Sequence, residues 1–229
     1  MRVCTLICFL LLSAIPAAAQ AQSTVYQPHQ ARKHFISVSY DWNHTTALDF
    51  QNHPLADLLG RPVSETHLQP YEYSTRDGST LVHVLEFSHP GQGASVTLYP
   101  FGLSSGAALT VRGSILQLPT IRLAFDGPAP APTYSFTSGR AYDLGAGVTT
   151  GDLSPGWGLG GYAFLIAGIG HAASQETSGR RYFGEVGGAV SSGPFGVEIA
   201  VKYSQTSLPS PVQHRVVAIP VTIRAMVTF

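Results

Sequence analysis

The chain has 229 residues, 13 acidic and 13 basic side chains, and 11% charged residues against 44% apolar ones. With a formal net charge of zero, neither nucleic acid nor an anionic lipid face is an obvious partner. Soluble domains usually carry about 25% charged residues, so the deficit points to a chain whose outer wall does not meet water; a secreted soluble β-protein is the alternative.

The N-terminus reads as a secretory leader. Met1-Arg2 is a positive start, residues 3–15 are almost uninterruptedly apolar, Pro16 breaks the run, and Ala17-Ala18-Ala19 supplies small residues at a cleavage site. The run is shorter than the roughly 20 residues of a membrane helix. The expected organisation is a signal peptide over residues 1–19 (cleavage possible up to 21), a periplasmic N-terminal segment over 20–32, and one domain over 33–229. Cys4 and Cys8 both lie in the leader, so the mature chain has no disulfide, thiol nucleophile or cysteine metal site. No later stretch is apolar enough for a membrane helix, and a chain without one enters a bilayer only as a closed barrel, where every backbone polar group finds a partner.

From there the pattern is one of alternation. Ile36, Val38, Tyr40 and Trp42 interleave with Ser37, Ser39, Asp41 and Asn43, placing apolar and polar side chains on opposite faces of a strand. A long link over residues 45–80 follows, with His44 before it, His53, His67, Tyr71 and Tyr73 within it, and a short helical piece at 54–59. This first external loop reads either as a cap over the barrel mouth or as a ligand-binding loop. Residues 82–88 and 96–101 read as strands joined by a His89-Pro90-Gly91-Gln92 turn. Leu109, Val111 and Ile115 oppose Thr110, Arg112 and Ser114. Ile121, Leu123 and Phe125 oppose Arg122 and Asp126. Tyr142, Leu144, Ala146 and Val148 oppose Asp143 and Thr149. Residues 156–170 and 181–190 read as glycine-rich strands.

The last two strands are the clearest. Phe195, Val197, Ile199, Val201 and Tyr203 share one face, with Gly196, Glu198, Ala200, Lys202 and Ser204 on the other, after a Ser192-Gly193-Pro194 turn. Val217, Ile219, Val221, Ile223, Ala225, Val227 and Phe229 alternate with Thr222, Arg224 and Thr228, and Phe229 is the final residue.

These segments predict an all-β, antiparallel up-and-down transmembrane β-barrel. Ten strands are favoured, and a different division of residues 107–126 gives eight, the alternative. The even count returns both ends of the barrel to the periplasm. Short turns alternate with longer links except at residues 103–106, which are short where ten strands require a long loop. Leader, dyad repeats and terminal Phe229 together resemble the small bacterial outer-membrane β-barrels of the OmpA/OmpX type. The resemblance implies residence in the bacterial outer membrane, contact with its lipid, and recognition of the last strand, with Phe229 as C-terminal signal, by the barrel assembly machinery.

With the apolar faces towards lipid, Arg112, Arg122, Lys202, Arg224, Asp126, Asp143, Glu185 and Glu198 point into the lumen. Eight to ten strands leave a lumen little wider than its own side chains. Charges confined there have to pair, since an unpaired buried charge is costly. A charge-plugged, non-enzymatic barrel with a structural or surface-interaction role is the expectation. A narrow channel and a barrel-embedded lipid hydrolase are the alternatives, and a soluble lipocalin-like carrier inverts the faces.

Three motifs suggest chemistry. Gly102-Leu103-Ser104-Ser105-Gly106 has the spacing of a nucleophile elbow but continues as a strand, whereas the elbow needs a strand-to-helix turn. Gly156 to Gly161 has dinucleotide-fingerprint spacing without a helix after it. His171 and Ser174 resemble the His and Ser of outer-membrane lipid A deacylases, but Gln175 stands where that pattern has Asn, and the spacing puts the pair on opposite strand faces. None of the nine histidines forms an HxxxH or HExxH pair. No cofactor, metal or nucleic acid is expected.

Overall fold

The computed structural model describes residues 34–51, 66–69, 72–75, 82–87, 91–103, 105–125, 133–152, 159–209 and 213–229. Residues 1–33, and with them the expected leader and periplasmic segment, lie outside the described residues, as does the expected helix at 54–59.

The described residues form thirteen strands: β1 (His34–Gln51), β2 (Thr66–Gln69), β3 (Glu72–Thr75), β4 (Val82–Phe87), β5 (Gly91–Leu103), β6 (Ser105–Gln117), β7 (Ile121–Phe125), β8 (Thr133–Phe136), β9 (Arg140–Asp152), β10 (Leu159–Ala173), β11 (Ser178–Ser192), β12 (Phe195–Leu208) and β13 (His214–Thr228). Eight of them form a closed antiparallel barrel in the order β13-β12-β11-β10-β9-β6-β5-β1, with β1 paired back onto β13. The seam is continuous, from Ser37 opposite Thr228 to Gln51 opposite Arg215. The last residue helps to close it: the Phe229 backbone N–H donates to the Ile36 carbonyl at 2.8 Å, and the Phe35 N–H donates to the Phe229 carbonyl at 2.9 Å.

The barrel therefore has eight strands, not the favoured ten. The two strands that leave the count are β4 and β7, which pair with each other, and β7 with β8, in a separate three-stranded sheet. Alternation alone does not distinguish a barrel strand from a strand in a cap, because both have one covered and one open face. Their removal explains the short link at residues 103–106. It joins β5 to β6 as a hairpin at the terminal end of the barrel, where β1 begins and β13 finishes. Gly102 and Gly106 there have φ of 78° and 90°, a backbone open to glycine and costly to other residues. A hairpin is the opposite of the strand-to-helix turn that a nucleophile elbow requires.

Two more boundaries differ from expectation. Gly91 and Gln92 belong to β5, opposite Asn43 and Trp42, instead of to a turn. The long link begins after Gln51, because β1 continues for eighteen residues with a bulge between Thr45 and Ala47 and stays paired to β13. β2 and β3 form a hairpin on that extension of β1.

Along the barrel strands the period-two burial is regular, as in β12, where Glu198, Ala200, Lys202, Ser204 and Thr206 are buried and Phe195, Val197, Ile199 and Tyr203 are exposed. The exposed side chains are the apolar ones. Phe35, Phe101, Phe195 and Phe229 stand at the terminal end; Trp42, Tyr142, Tyr182 and Tyr203 stand towards the other. Phe195 and Tyr203 are eight residues apart, about 20 Å along the axis at roughly 3.3 Å per residue and a tilt near 40°. That approaches the apolar band of about 25 Å, flanked by aromatic girdles, of outer-membrane-type barrels.

Beyond the second girdle the outward positions turn polar. His171 lies opposite Arg180, Arg180 opposite Ser207, and Ser207 opposite Arg215, a row across β10, β11, β12 and β13 whose His and Arg side chains are exposed. With neighbouring strands about 4.8 Å apart, His171 and Arg215 are roughly 14 Å apart along this row.

Candidate functional site: a charge-paired lumen and its mouth

Each inward-facing charge in the barrel follows from strand parity. Arg112 is on β6, Asp143 on β9, Glu185 on β11, Glu198 and Lys202 on β12, and Arg224 on β13; all are buried, none exposed by more than 5%. The structure brings these six together. The Arg112 guanidinium donates to Glu185 Oε1 at 2.7 Å and to both Glu198 oxygens at 2.8 Å, and its Nε donates to Thr97 Oγ1 at 2.9 Å. Arg224 donates to Glu185 Oε2 at 2.9 Å and also bonds Glu198 Oε1. Lys202 Nζ donates to Asp143 Oδ2 at 2.7 Å and lies 3.6 Å from Glu185. Bidentate and shared contacts of this kind satisfy several donors at once, which is what makes charge tolerable away from water.

Two further members follow from the same parity, although the expected set omits them. Asp41 shares a face with Ser37, Ser39 and Asn43; it accepts from Ser39 at 2.7 Å and from Ser95, and lies 3.2 Å from Arg224 Nε. Arg181 shares a face with Glu185, and its Nε is 3.2 Å from Asp143 Oδ1. That pair attracts by proximity without hydrogen-bond alignment, for neither atom has a bonded partner. With both included, four cations face four anions.

Of the other two residues expected in the lumen, one lies elsewhere and one is outside the described residues. Arg122 is exposed on β7, in the separate sheet and outside the barrel wall; its alternation points inward only for a strand of the barrel, which β7 is not. Asp126 lies outside the described residues.

Aromatic rings and an apolar layer border the charges. The Arg112 guanidinium lies 4.7 Å from the Phe164 ring centroid, and Lys202 Nζ lies 4.1 Å from that of Phe183; cations over ring faces gain attraction from the π-quadrupole. Towards the terminal end, Tyr99, Leu103, Tyr162, Phe164, Ile166 and Met226 fill the lumen as one apolar cluster. The Tyr162 hydroxyl ties this layer to the charges by donating to Glu198 Oε2 at 3.1 Å. Glycine on neighbouring strands makes room for the rings: a Cβ at Gly187 would lie 2.6 Å from the Phe164 ring and closer still to the Ile199 carbonyl.

At the opposite end, β7 and β8 fold into the mouth. Ile121, Leu123, Tyr134 and Phe136 pack on Leu48 of β1 and Leu208 of β12. Tyr134 shares a 3.0 Å hydrogen bond with His214 of β13 and meets its ring edge-on at 5.5 Å. Burial and the nearby Glu176 push the Tyr134 hydroxyl well above the usual phenol range. A cap over the mouth therefore comes from the second long link as well as from the first, which contributes β4 to the same sheet. Between this cap and the wall is a small cleft of about 40 Å³, lined by Leu48, Leu118, Ile121, Phe136, Leu208 and Arg181 among others.

The residues that suggested an enzyme are placed apart from this site. His171 is exposed on the outer wall of β10. Ser174 lies in the turn from β10 to β11, where its hydroxyl donates to the Thr177 carbonyl at 3.1 Å and accepts from the Glu176 and Thr177 N–H groups at 3.1 Å each. That hydroxyl builds the turn. Beside it, Glu176 accepts from the Thr137 N–H at 2.9 Å. Partial burial pushes the Glu176 carboxyl upward, and the Thr137 bonds outweigh this, holding it below the usual carboxylate range. His44 is exposed on β1, His67 lies in β2 and Tyr73 in β3; His53 and Tyr71 lie outside the described residues. Among the described residues, no group of three or more His, Cys, Asp or Glu is arranged to hold a metal ion.

The chain matches no family model and no curated protein. Among solved structures it is similar to Neisserial surface protein A (NspA), at 8% identity over 85% of this chain and 97% of that one, with a TM-score of 0.39. The barrel assignment rests on the strand pairing described above.

Proposed function

We propose that the chain is exported to the bacterial outer membrane and works there as a closed, non-enzymatic barrel that displays its tall far-side strands and cap at the cell surface. The observation that carries this reading is the filled lumen. Eight buried charges, paired four against four, sit between an apolar layer at the terminal end and the β7–β8 cap at the mouth. Opening a path for ions requires separating those pairs in a medium that screens them poorly. The outward apolar band and its two aromatic girdles support membrane residence. Exposed His171, Arg180 and Arg215 beyond the second girdle support an orientation in which that side meets phosphate-bearing headgroups. β13 and Phe229, which close the seam, are the proposed contact for the assembly machinery.

The test is conductance. Purified, heat-modifiable protein inserted in planar bilayers is expected to give no stable current steps at neutral pH. Reproducible steps from the unaltered chain overturn the plug and favour the narrow channel.

A further inference from the structure

One stretch of the outer wall gathers basic side chains. Arg140 on β9, His171 on β10 and Arg180 on β11 are all exposed. Strand register brings them together: His171 lies opposite Tyr142 on one side and Arg180 on the other, and Arg140 is two residues beyond Tyr142. With strands about 4.8 Å apart and about 3.3 Å per residue, the Arg140 and Arg180 backbones are roughly 12 Å apart, with His171 between them. Two long guanidinium side chains can close on one group across that gap.

The cluster also has a defined height. Arg140 and Arg180 each stand two residues beyond an exposed girdle tyrosine of their own strand, Tyr142 and Tyr182, on the side of the mouth. At a tilt near 40° that places them about 5 Å further out than the tyrosines, which themselves mark the headgroup level. Their charge is not cancelled locally. Asp143 of β9 and Glu185 of β11 face the lumen, and Glu176 in the β10–β11 turn gives its carboxylate to Thr137. The outward positions beside the cluster on β10 and β11 are Ile169, Ala173, Ser178 and Tyr182, none of them acidic. Among the described residues, no hydrogen bond or ion pair engages either arginine. Like charges at neighbouring sheet positions repel, and an anion lodged between them offsets that repulsion. The chain's formal net charge is zero, so the attraction belongs to this patch and not to the protein as a whole.

A phosphate monoester suits the cluster better than other lipid anions. It carries about −1.5 to −2 charge at neutral pH and three strong acceptor oxygens. Facing it are two guanidiniums, each able to bind phosphate in bidentate geometry, and an imidazole. A phosphodiester has less charge and fewer free oxygens. We propose that Arg140, His171 and Arg180 form an outer-wall site for a lipid whose headgroup ends in a phosphate monoester. Its acyl chains lie on the exposed apolar wall below, beside Tyr142, Leu144, Ile169 and Tyr182. This rests on the proposed orientation of the barrel in the outer membrane and names the headgroup that its mouth-side rim selects.

The test reconstitutes the protein in phosphatidylcholine vesicles. Electron paramagnetic resonance then measures how strongly trace chain-labelled phosphatidic acid, phosphatidylglycerol and phosphatidylcholine associate with the barrel. Phosphatidic acid is expected to associate about fivefold more strongly than phosphatidylcholine, with phosphatidylglycerol between the two. Arg140→Gln together with Arg180→Gln is expected to bring phosphatidic acid to within about twofold of phosphatidylcholine. Arg122→Gln, on β7 and outside the barrel wall, is expected to keep the full preference. Equal association of phosphatidic acid and phosphatidylglycerol, no preference over phosphatidylcholine, or a preference that survives the double substitution each overturns the proposal. So does an equal loss in Arg122→Gln, which would make net charge the cause. Inorganic phosphate is expected to weaken the preference no more than chloride at the same ionic strength; displacement by phosphate alone would make the ligand a free anion and refute the lipid site. Heat-modifiable migration on a detergent gel is read for every sample. Its loss in the unaltered protein refutes the barrel, whereas an intact barrel without lipid preference refutes this site alone. Its loss only in the double variant leaves the comparison of the three lipids in the unaltered protein to decide.

Discussion

The middle of the lumen and its terminal end are equally buried and are held by opposite means. At the terminal end, Tyr99, Leu103, Tyr162, Phe164, Ile166 and Met226 hold by shape, and each contact is worth little alone. In the middle, Arg112, Arg224, Glu185 and Glu198 hold by mutual cancellation, so each residue depends on the presence of the others. An apolar layer degrades gradually as volume is lost, whereas a paired-charge layer fails when one partner goes. A barrel with lipid outside keeps both because its inward faces are polar by default and its narrow bore forces those polar groups into contact.

The contrast is tested most severely at Glu198, which accepts from Arg112, Arg224 and Tyr162 at once. Glu198→Ala leaves two buried cations short of a counter-charge and is expected to cost about 3–5 kcal/mol, read as a lowered urea midpoint for barrel unfolding in lipid vesicles. A loss below about 1 kcal/mol, the range of exposed ion pairs, would mean that water already reaches the charges. The apolar layer is tested at Gly187, where an added methyl presses on Phe164. Gly187→Ala is expected to cost about 1–3 kcal/mol through overpacking, with no gain in conductance. A neutral result there would show the terminal end to be loosely filled.

How much of this is legible in the sequence depends on which face of which strand is considered. The last two strands, β12 and β13, are readable almost residue by residue, because an apolar outer wall on one side and a crowded lumen on the other enforce strict alternation. The same rule locates Arg112, Asp143, Glu185, Glu198, Lys202 and Arg224, and it reaches Asp41 and Arg181 once every inward position is followed along its strand. What parity does not encode is which sheet a strand joins. Ile121, Leu123 and Arg122 alternate as a barrel strand does, yet β7 buries its apolar face against Leu48 and Leu208 at the mouth and leaves Arg122 outside. The apolar side of a barrel strand meets lipid and that of a cap strand meets protein, and both are written in the same residues. The short link at 103–106 is the local sign against a ten-stranded barrel.

All of this depends on the apolar faces looking into hydrocarbon while the charges meet one another inside. Nitroxide labels at Ile199→Cys on β12 and Ile223→Cys on β13, both exposed outward, probe that orientation in reconstituted vesicles by relaxation with molecular oxygen and with a water-soluble nickel complex. Strong relaxation by oxygen and almost none by nickel is expected at both positions. Strong relaxation by nickel at either would contradict the membrane barrel, because that side of the wall would then be facing water.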